Sequence, residues 1–258
     1  RPAAAAEEFV TIRNGEGALV WDVEGREYID GMASLWYCNI GHGRMQMADR
    51  IASQVVVLEN YNCFDIFTNE PVEQFAAFTA AASPFDDARV FFTCSGSEAV
   101  DTAIKLARAV FSLRGDSART AILSRVNAYH GVAYGGLSAQ GLPLNQQHFG
   151  PLLGPVITVG NTDIAEMERA FEAHGSEIAV VLCEPVQGAG GVYPPPEGYL
   201  QRLRELCTEH GALLVFDEVI TGFGRLGTWF GAQHYDVEPD MITFAKACTS
   251  GYLPLGGV

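Results

Sequence analysis

The chain has 258 residues, with 31 Asp and Glu against 16 Lys and Arg, giving a formal net charge of −15. That acid excess argues against nucleic acid or an anionic membrane surface as a partner, since basic patches recognise both, while a small anion held by backbone N–H groups stays compatible. Apolar residues make up 48% of the chain, which excludes a disordered class, and a chain of this length buries roughly 75% of its unfolded surface.

In chain order, the alanine run at 3–6 follows a single Arg and leads into Glu7 and Glu8, a pattern unlike a secretory leader. Apolar runs at 19–21 and 27–29 flank Asp22-Val23-Glu24-Gly25 and predict a β-hairpin; helices are predicted at 47–58 and 71–82. The hairpin and first helix form an N-terminal segment, 1–60, ahead of one large domain, 61–258. Strands are then predicted at 89–93, 120–124, 156–159, 178–183, 212–216 and 241–245. Helices are expected at 97–113, around 131–138, at 164–173 and at 199–209. Val100, Ile104, Ala107 and Phe111 give the first of these an apolar stripe; Thr162 or Asp163 caps the third, and Gly211 closes the fourth. Alternating strands and helices predict an α/β fold with a mostly parallel central sheet flanked by helices. The longest apolar runs, 178–183 and 212–216, are too short to cross a bilayer. The 253–258 stretch enters another apolar element as the sequence stops, which predicts a truncated domain.

The six cysteines form no CxxC pair and read as reduced thiols of a cytoplasmic protein, Cys183 and Cys248 as buried ones. The six histidines contain no HExxH, and no metal site is expected.

Ligands of open α/β sheets bind beyond the C-terminal ends of the strands. Polar residues follow four of the predicted strands, as Ser95-Gly96-Ser97, Glu184, Asp217 and Lys246, and Tyr129-His130-Gly131 comes after a fifth. Ser95-Gly96-Ser97 joins a strand to a long helix and offers hydroxyls and free N–H groups to an anion; the same residues also make a plain helix cap. Tyr129-His130-Gly131 brings a ring able to stack on a flat ligand or to pack in the loop. Glu184 ends the 178–183 strand. Asp217 emerges from an apolar strand and needs a metal, a base, a heterocyclic nitrogen or a role as N-cap, while Glu218 points the other way. Lys246 is followed by small neutral residues, which favour the uncharged amine that Schiff-base chemistry requires. Neither GxGxxG nor GxSxG occurs, so the dinucleotide fingerprint and the hydrolase elbow are absent. Together, an anion cradle, a stacking face, a carboxylate and a neutral lysine are the inventory for pyridoxal 5′-phosphate (PLP).

LLVFDEVITGFG (213–224), FAKACTSGYLPLGGV (244–258), SGSEAVDTAIKLAR (95–108), AYHG (128–131) and EPVQGAGGV (184–192) occur in order, with 29 residues from Asp217 to Lys246. In these segments the chain resembles the class III (ω-) aminotransferases of fold type I. GMASLWY (31–37) is similar to the ω-amino acid/amine:pyruvate branch. The resemblance implies amino transfer from an ω-amino acid or amine to a keto acid such as pyruvate, through a Lys246 Schiff base. It implies that Asp217 binds the pyridine nitrogen and Val219 packs under the ring, with Tyr129 or its neighbours, His130 among them, around the other face. Ser95, Gly96 and Ser97 would hold the phosphate. Glu184 would line both cofactor and substrate space, resembling a glutamate that pairs with a mobile arginine in several members. Trp36 would line the substrate pocket; from its position alone it reads equally as core packing. The family also implies a homodimer with active sites at the interface, a phosphate-binding threonine from the other subunit and a C-terminal small domain, the last missing here. An aminomutase, a decarboxylase or a catalytically incomplete fragment are the alternative readings.

Overall fold

The structure is a computed structural model and describes residues 9–258; the alanine run at 3–6 lies outside them. The predicted hairpin is the second half of an antiparallel three-stranded meander, β1 (Ile12–Glu16), β2 (Leu19–Asp22) and β3 (Glu27–Ile29). The Asp22 carboxylate closes its β2–β3 turn by accepting from the N–H groups of Glu24 and Arg26, both at 2.9 Å. A single helical turn, α1 (Ala33–Trp36), leads to α2 (Met45–Val57) and α3 (Glu70–Ala82).

The core is a five-stranded parallel sheet in the order β6-β5-β7-β8-β9, built from β5 (Ala121–Arg125), β6 (Val156–Val159), β7 (Ile178–Cys183), β8 (Leu213–Asp217) and β9 (Met241–Thr243). Its strands read as continuous apolar runs because both faces are covered. On one face Val180, Leu182 and Val215 meet Val100, Ile104 and Ala107 of α4 (Gly96–Leu113). On the other, Val181, Leu214 and Phe216 meet Phe171 of α6 (Ile164–His174) and Leu203 of α7 (Tyr199–His210). Asp163 is the cap of α6, accepting from Ala165 N–H at 2.9 Å, and Gly211 ends α7 at φ +66°, a conformation that favours glycine.

Three predicted elements differ. The 89–93 strand is only β4 (Phe92–Thr93); it pairs antiparallel with β10 (Gly256–Gly257), outside the parallel ladder, and Phe244–Gly257 bonds link that pair to the end of β9. The strand predicted to run to residue 245 stops at Thr243, because Ala245 and Lys246 leave the extended region, Lys246 at φ +46°. The short helix expected near 131 is α5 (Tyr134–Ala139): Gly131 sits at φ +95° and cannot belong to a right-handed helix.

Register places the chemistry at one edge. Cys183 pairs with Phe216, and Asp217 with Thr243, so β7, β8 and β9 end side by side with Glu184, Asp217 and the Ala245-Lys246 bend at the same lip. All six cysteines are free; Cys183 is buried as expected, whereas Cys248 is only half-buried, like the rest of the 3-10 turn Lys246–Cys248.

Candidate active site

A cavity of about 510 Å³ opens at that lip. Ser95, Gly96, Ser97, Tyr129, His130, Glu184, Asp217, Val219, Lys246 and Trp36 all border it. The strands' common direction brings them together from positions up to 210 residues apart.

The Asp217 side chain is buried. Its Oδ2 lies 2.7 Å from His130 Nδ1, and its Oδ1 accepts from Thr243 Oγ1 at 3.1 Å and from Val219 N–H at 3.2 Å. The Val219 bond is the turn-capping alternative, so the carboxylate ends the strand and faces the cavity at once. His130 Nε2 is buried and has no partner among the described residues. Val219 lies just past the end of β8, not on the strand itself. Its methyls pack so closely on Gly96 that a Cβ there would come within 2.8 Å of Val219 Cγ2.

At the start of α4, Ser95 Oγ accepts from Glu98 N–H at 3.2 Å and Glu98 Oε2 accepts from Cys94 N–H at 2.7 Å, a reciprocal cap. The Gly96 and Ser97 N–H groups, by contrast, take no partner among the described residues and border the cavity. Ser97 Oγ accepts from Val132 N–H at 3.0 Å, which leaves its own O–H to donate. Gly131 is required for this approach, since a Cβ would stand 2.5 Å from Ser97 Oγ.

Glu184 is buried; its two oxygens accept from Tyr129 N–H at 3.1 Å and Gly188 N–H at 2.9 Å. Burial pushes its carboxyl above the usual range, partly offset by His130. Burial lowers the Lys246 ammonium, against the pull of Asp217 and Glu184, and so favours the neutral amine. The Lys246 Nζ lies 5.8 Å from the centroid of the Tyr37 ring.

Leu35, Trp36 and Tyr37 form part of the cavity wall. Trp36 is therefore not core packing. Its turn, α1, is left-handed: Ala33, Ser34, Leu35 and Trp36 all have φ between +46° and +70°. Each such L-residue costs roughly 1–2 kcal/mol.

Residue-by-residue reading overlooked three contributors. Thr243 is visible as a hydroxyl in an otherwise apolar strand. Arg125 is buried, donating to the backbone carbonyls of Glu184 at 2.5 Å and Asn161 at 3.3 Å and lying over the Tyr199 ring. Arg225 closes the TGFGR run and donates to Trp36 O and Asn39 Oδ1; neither arginine carries a local signal.

A lysine, a carboxylate and an anion cradle at the strand ends of a mostly parallel sheet define a PLP-type transferase architecture. Residues 2–258 match the class-III aminotransferases, and the chain belongs to that family. It is 41% identical over 255 residues to an omega-aminotransferase of Caulobacter vibrioides, covering 91% of this chain and 58% of that one. It is 40% identical over 262 residues to a beta-alanine–pyruvate aminotransferase of Pseudomonas aeruginosa, covering 94% and 58%. The crystal structure of an amine transaminase from an uncultivated Pseudomonas species, in its PLP-bound form, superposes with a TM-score of 0.93 at 35% identity, covering all of this chain and 64% of that one. The chain thus spans 58% of the length of both curated relatives.

Proposed function

We propose that this chain supplies the cofactor-holding part of a PLP-dependent aminotransferase that moves an amino group from an ω-amino acid or amine to a keto acid such as pyruvate. The observation that carries it is the Lys246 amine in one cavity with the His130-backed Asp217 carboxylate and the unpaired Gly96 and Ser97 N–H groups. These residues fit PLP: its phosphate suits the N–H pair and the free Ser97 O–H, and its flat ring suits the cavity that Val219 and Tyr129 both border.

When bound, PLP supplies an electron sink that lowers the cost of breaking a substrate Cα–H bond. Lys246 Nζ would bind the cofactor's aldehyde and, as a neutral amine in the cavity, would accept the proton that leaves substrate Cα. Asp217 keeps the ring nitrogen protonated, and His130 and Thr243 hold that carboxylate in place. Ser95 organises the first turn of α4, whose Gly96 and Ser97 bind the phosphate. Glu184 ties the Tyr129 and Gly188 backbone together on the substrate side, and Trp36 bounds the space left for the donor.

The reading extends to a homodimer in the cytoplasm. Support comes from the strong exposure of Val56 at 87% in the N-terminal segment and of Ile66 at 83% just past it, and from six free cysteines. The same reading treats residues 1–60 as that segment and 61–258 as part of the PLP-binding large domain.

The test uses the full-length protein loaded with PLP. Borohydride should fix the cofactor mass to the peptide containing Lys246, and amine donors with pyruvate should yield alanine. No adduct on that peptide refutes the cofactor assignment; an adduct without alanine refutes the transaminase assignment.

A further inference from the structure

The turn that carries the cavity wall has four consecutive L-residues at positive φ, the longest such run among the described residues. Single αL residues are common in loops, but a run of four L-residues that includes Leu and Trp persists only where its surroundings over-determine it. Two residues, at opposite ends of the turn, do so here.

Asp30 holds the entry. Its Oδ1 and Oδ2 accept from Ser34 N–H at 3.1 and 2.9 Å, and its Oδ2 lies 2.7 Å from His42 Nε2. The anchor is itself fixed: Asp30 N–H donates to Ala18 O at 2.8 Å, and the His42 backbone exchanges bonds with Gly17 at 2.8 and 3.1 Å. Arg225 holds the exit. Its Nη2 donates to Trp36 O at 3.1 Å and to Asn39 Oδ1, and its Nε donates to Ile220 O at 2.9 Å. Ile220 lies three residues past Asp217 and borders the same cavity. The wall is thereby referenced to the end of β8 on one side and to the β1–β3 meander on the other. Neither Asp30 nor Arg225 borders the cavity.

We propose that Asp30 and Arg225 are positioning residues that set donor-size selectivity by clamping the left-handed turn under Leu35, Trp36 and Tyr37. The selectivity part rests on the aminotransferase reading; the clamp does not. With either clamp removed, the turn relaxes toward φ < 0 and Trp36 leaves its place against the cavity. Glycine has no Cβ penalty at positive φ, so Ala33→Gly with Ser34→Gly should keep the turn left-handed without its clamp.

The experiment uses the full-length holoenzyme labelled with 5-fluorotryptophan, the Trp36 ¹⁹F resonance being identified by its loss in Trp36→Phe. Asp30→Ala and, separately, Arg225→Met are expected to shift or broaden that resonance. They should also lower KM for 1-phenylethylamine relative to that for β-alanine by about tenfold, since the wall that bounds donor size has moved away. Adding the glycine pair to Asp30→Ala should restore both readouts. If Asp30→Ala does not fold, Arg225→Met carries the test alone. An unmoved Trp36 resonance in the variants that fold, or no restoration by the glycine pair, overturns the clamp. A moved resonance with equal KM changes for both amines overturns the selectivity role. Failure of the borohydride adduct at Lys246 counts only against the cofactor reading, because the resonance is read without turnover.

Discussion

His130 Nδ1 stands 2.7 Å from Asp217 Oδ2, and both side chains are buried. The imidazole N–H donates to one carboxylate oxygen, while Thr243 Oγ1 and Val219 N–H donate to the other. Three donors fix both oxygens of the carboxylate in place, and its negative charge is what a protonated ring nitrogen would require. The role assigned to Asp217 therefore depends on charge more than on shape.

Asp217→Asn separates the two. The amide keeps the size of the side chain and one acceptor, but carries no charge and turns an N–H₂ toward its donors. PLP should remain bound while kcat falls by about 10²–10³, the usual loss for one preorganised electrostatic contact. Single-turnover kinetics on the PLP-loaded variant measure this; near wild-type turnover would sink the role.

Gly131→Ala tests the anion cradle. The substitution places a side chain at φ +95° and sets a Cβ 2.5 Å from Ser97 Oγ. Stability should fall by about 1–3 kcal/mol. Displacing Ser97 should weaken cofactor binding by about tenfold, equivalent to losing roughly 1.4 kcal/mol. Equilibrium dialysis against PLP and urea unfolding read the two effects separately.

Glu218 links stability to pH. Its carboxylate is buried and accepts from Thr221 Oγ1 at 2.9 Å, from Ala232 N–H at 2.8 Å and from Gly231 N–H. Burial nevertheless lifts it from 4.5 to about 7. A native carboxyl that binds its proton more tightly than the unfolded one contributes stability below pH 4.5 and loses it as pH rises through about 7. That loss is on the order of 3 kcal/mol. Urea midpoints at pH 4.5 and pH 8 should show this slope in the wild type and a flatter one in Glu218→Gln, which is neutral throughout; equal slopes would count against it.

Arg125→Met removes a buried guanidinium and leaves the Glu184 and Asn161 carbonyls without those donors. The expected cost is about 2–4 kcal/mol, the penalty for stranding buried polar groups. Thermal unfolding of the holoprotein measures it, and a change below about 0.5 kcal/mol, the range of ordinary surface substitutions, would overturn the structural account of this residue.

The sequence by itself determined the layered α/β plan. Val180, Leu182 and Val215 alternate with Val181, Leu214 and Phe216 in runs apolar on both faces, and only a sheet covered twice explains such runs. The residues at the strand ends, Glu184, Asp217 and Lys246, were legible for the same reason: a polar group interrupting a doubly buried strand marks where the strand leaves the core. Tertiary structure decided the rest. It put β4 with β10 across more than 160 residues, paired His130 with Asp217 and Arg225 with Trp36, and chose a left-handed turn for a stretch without glycine inside it. Side-chain periodicity reports which face of its own element a residue occupies. It carries nothing about which distant donor meets a carboxylate, or whether two remote anchors hold a strained backbone in place, because those energies exist only once the chain has closed on itself.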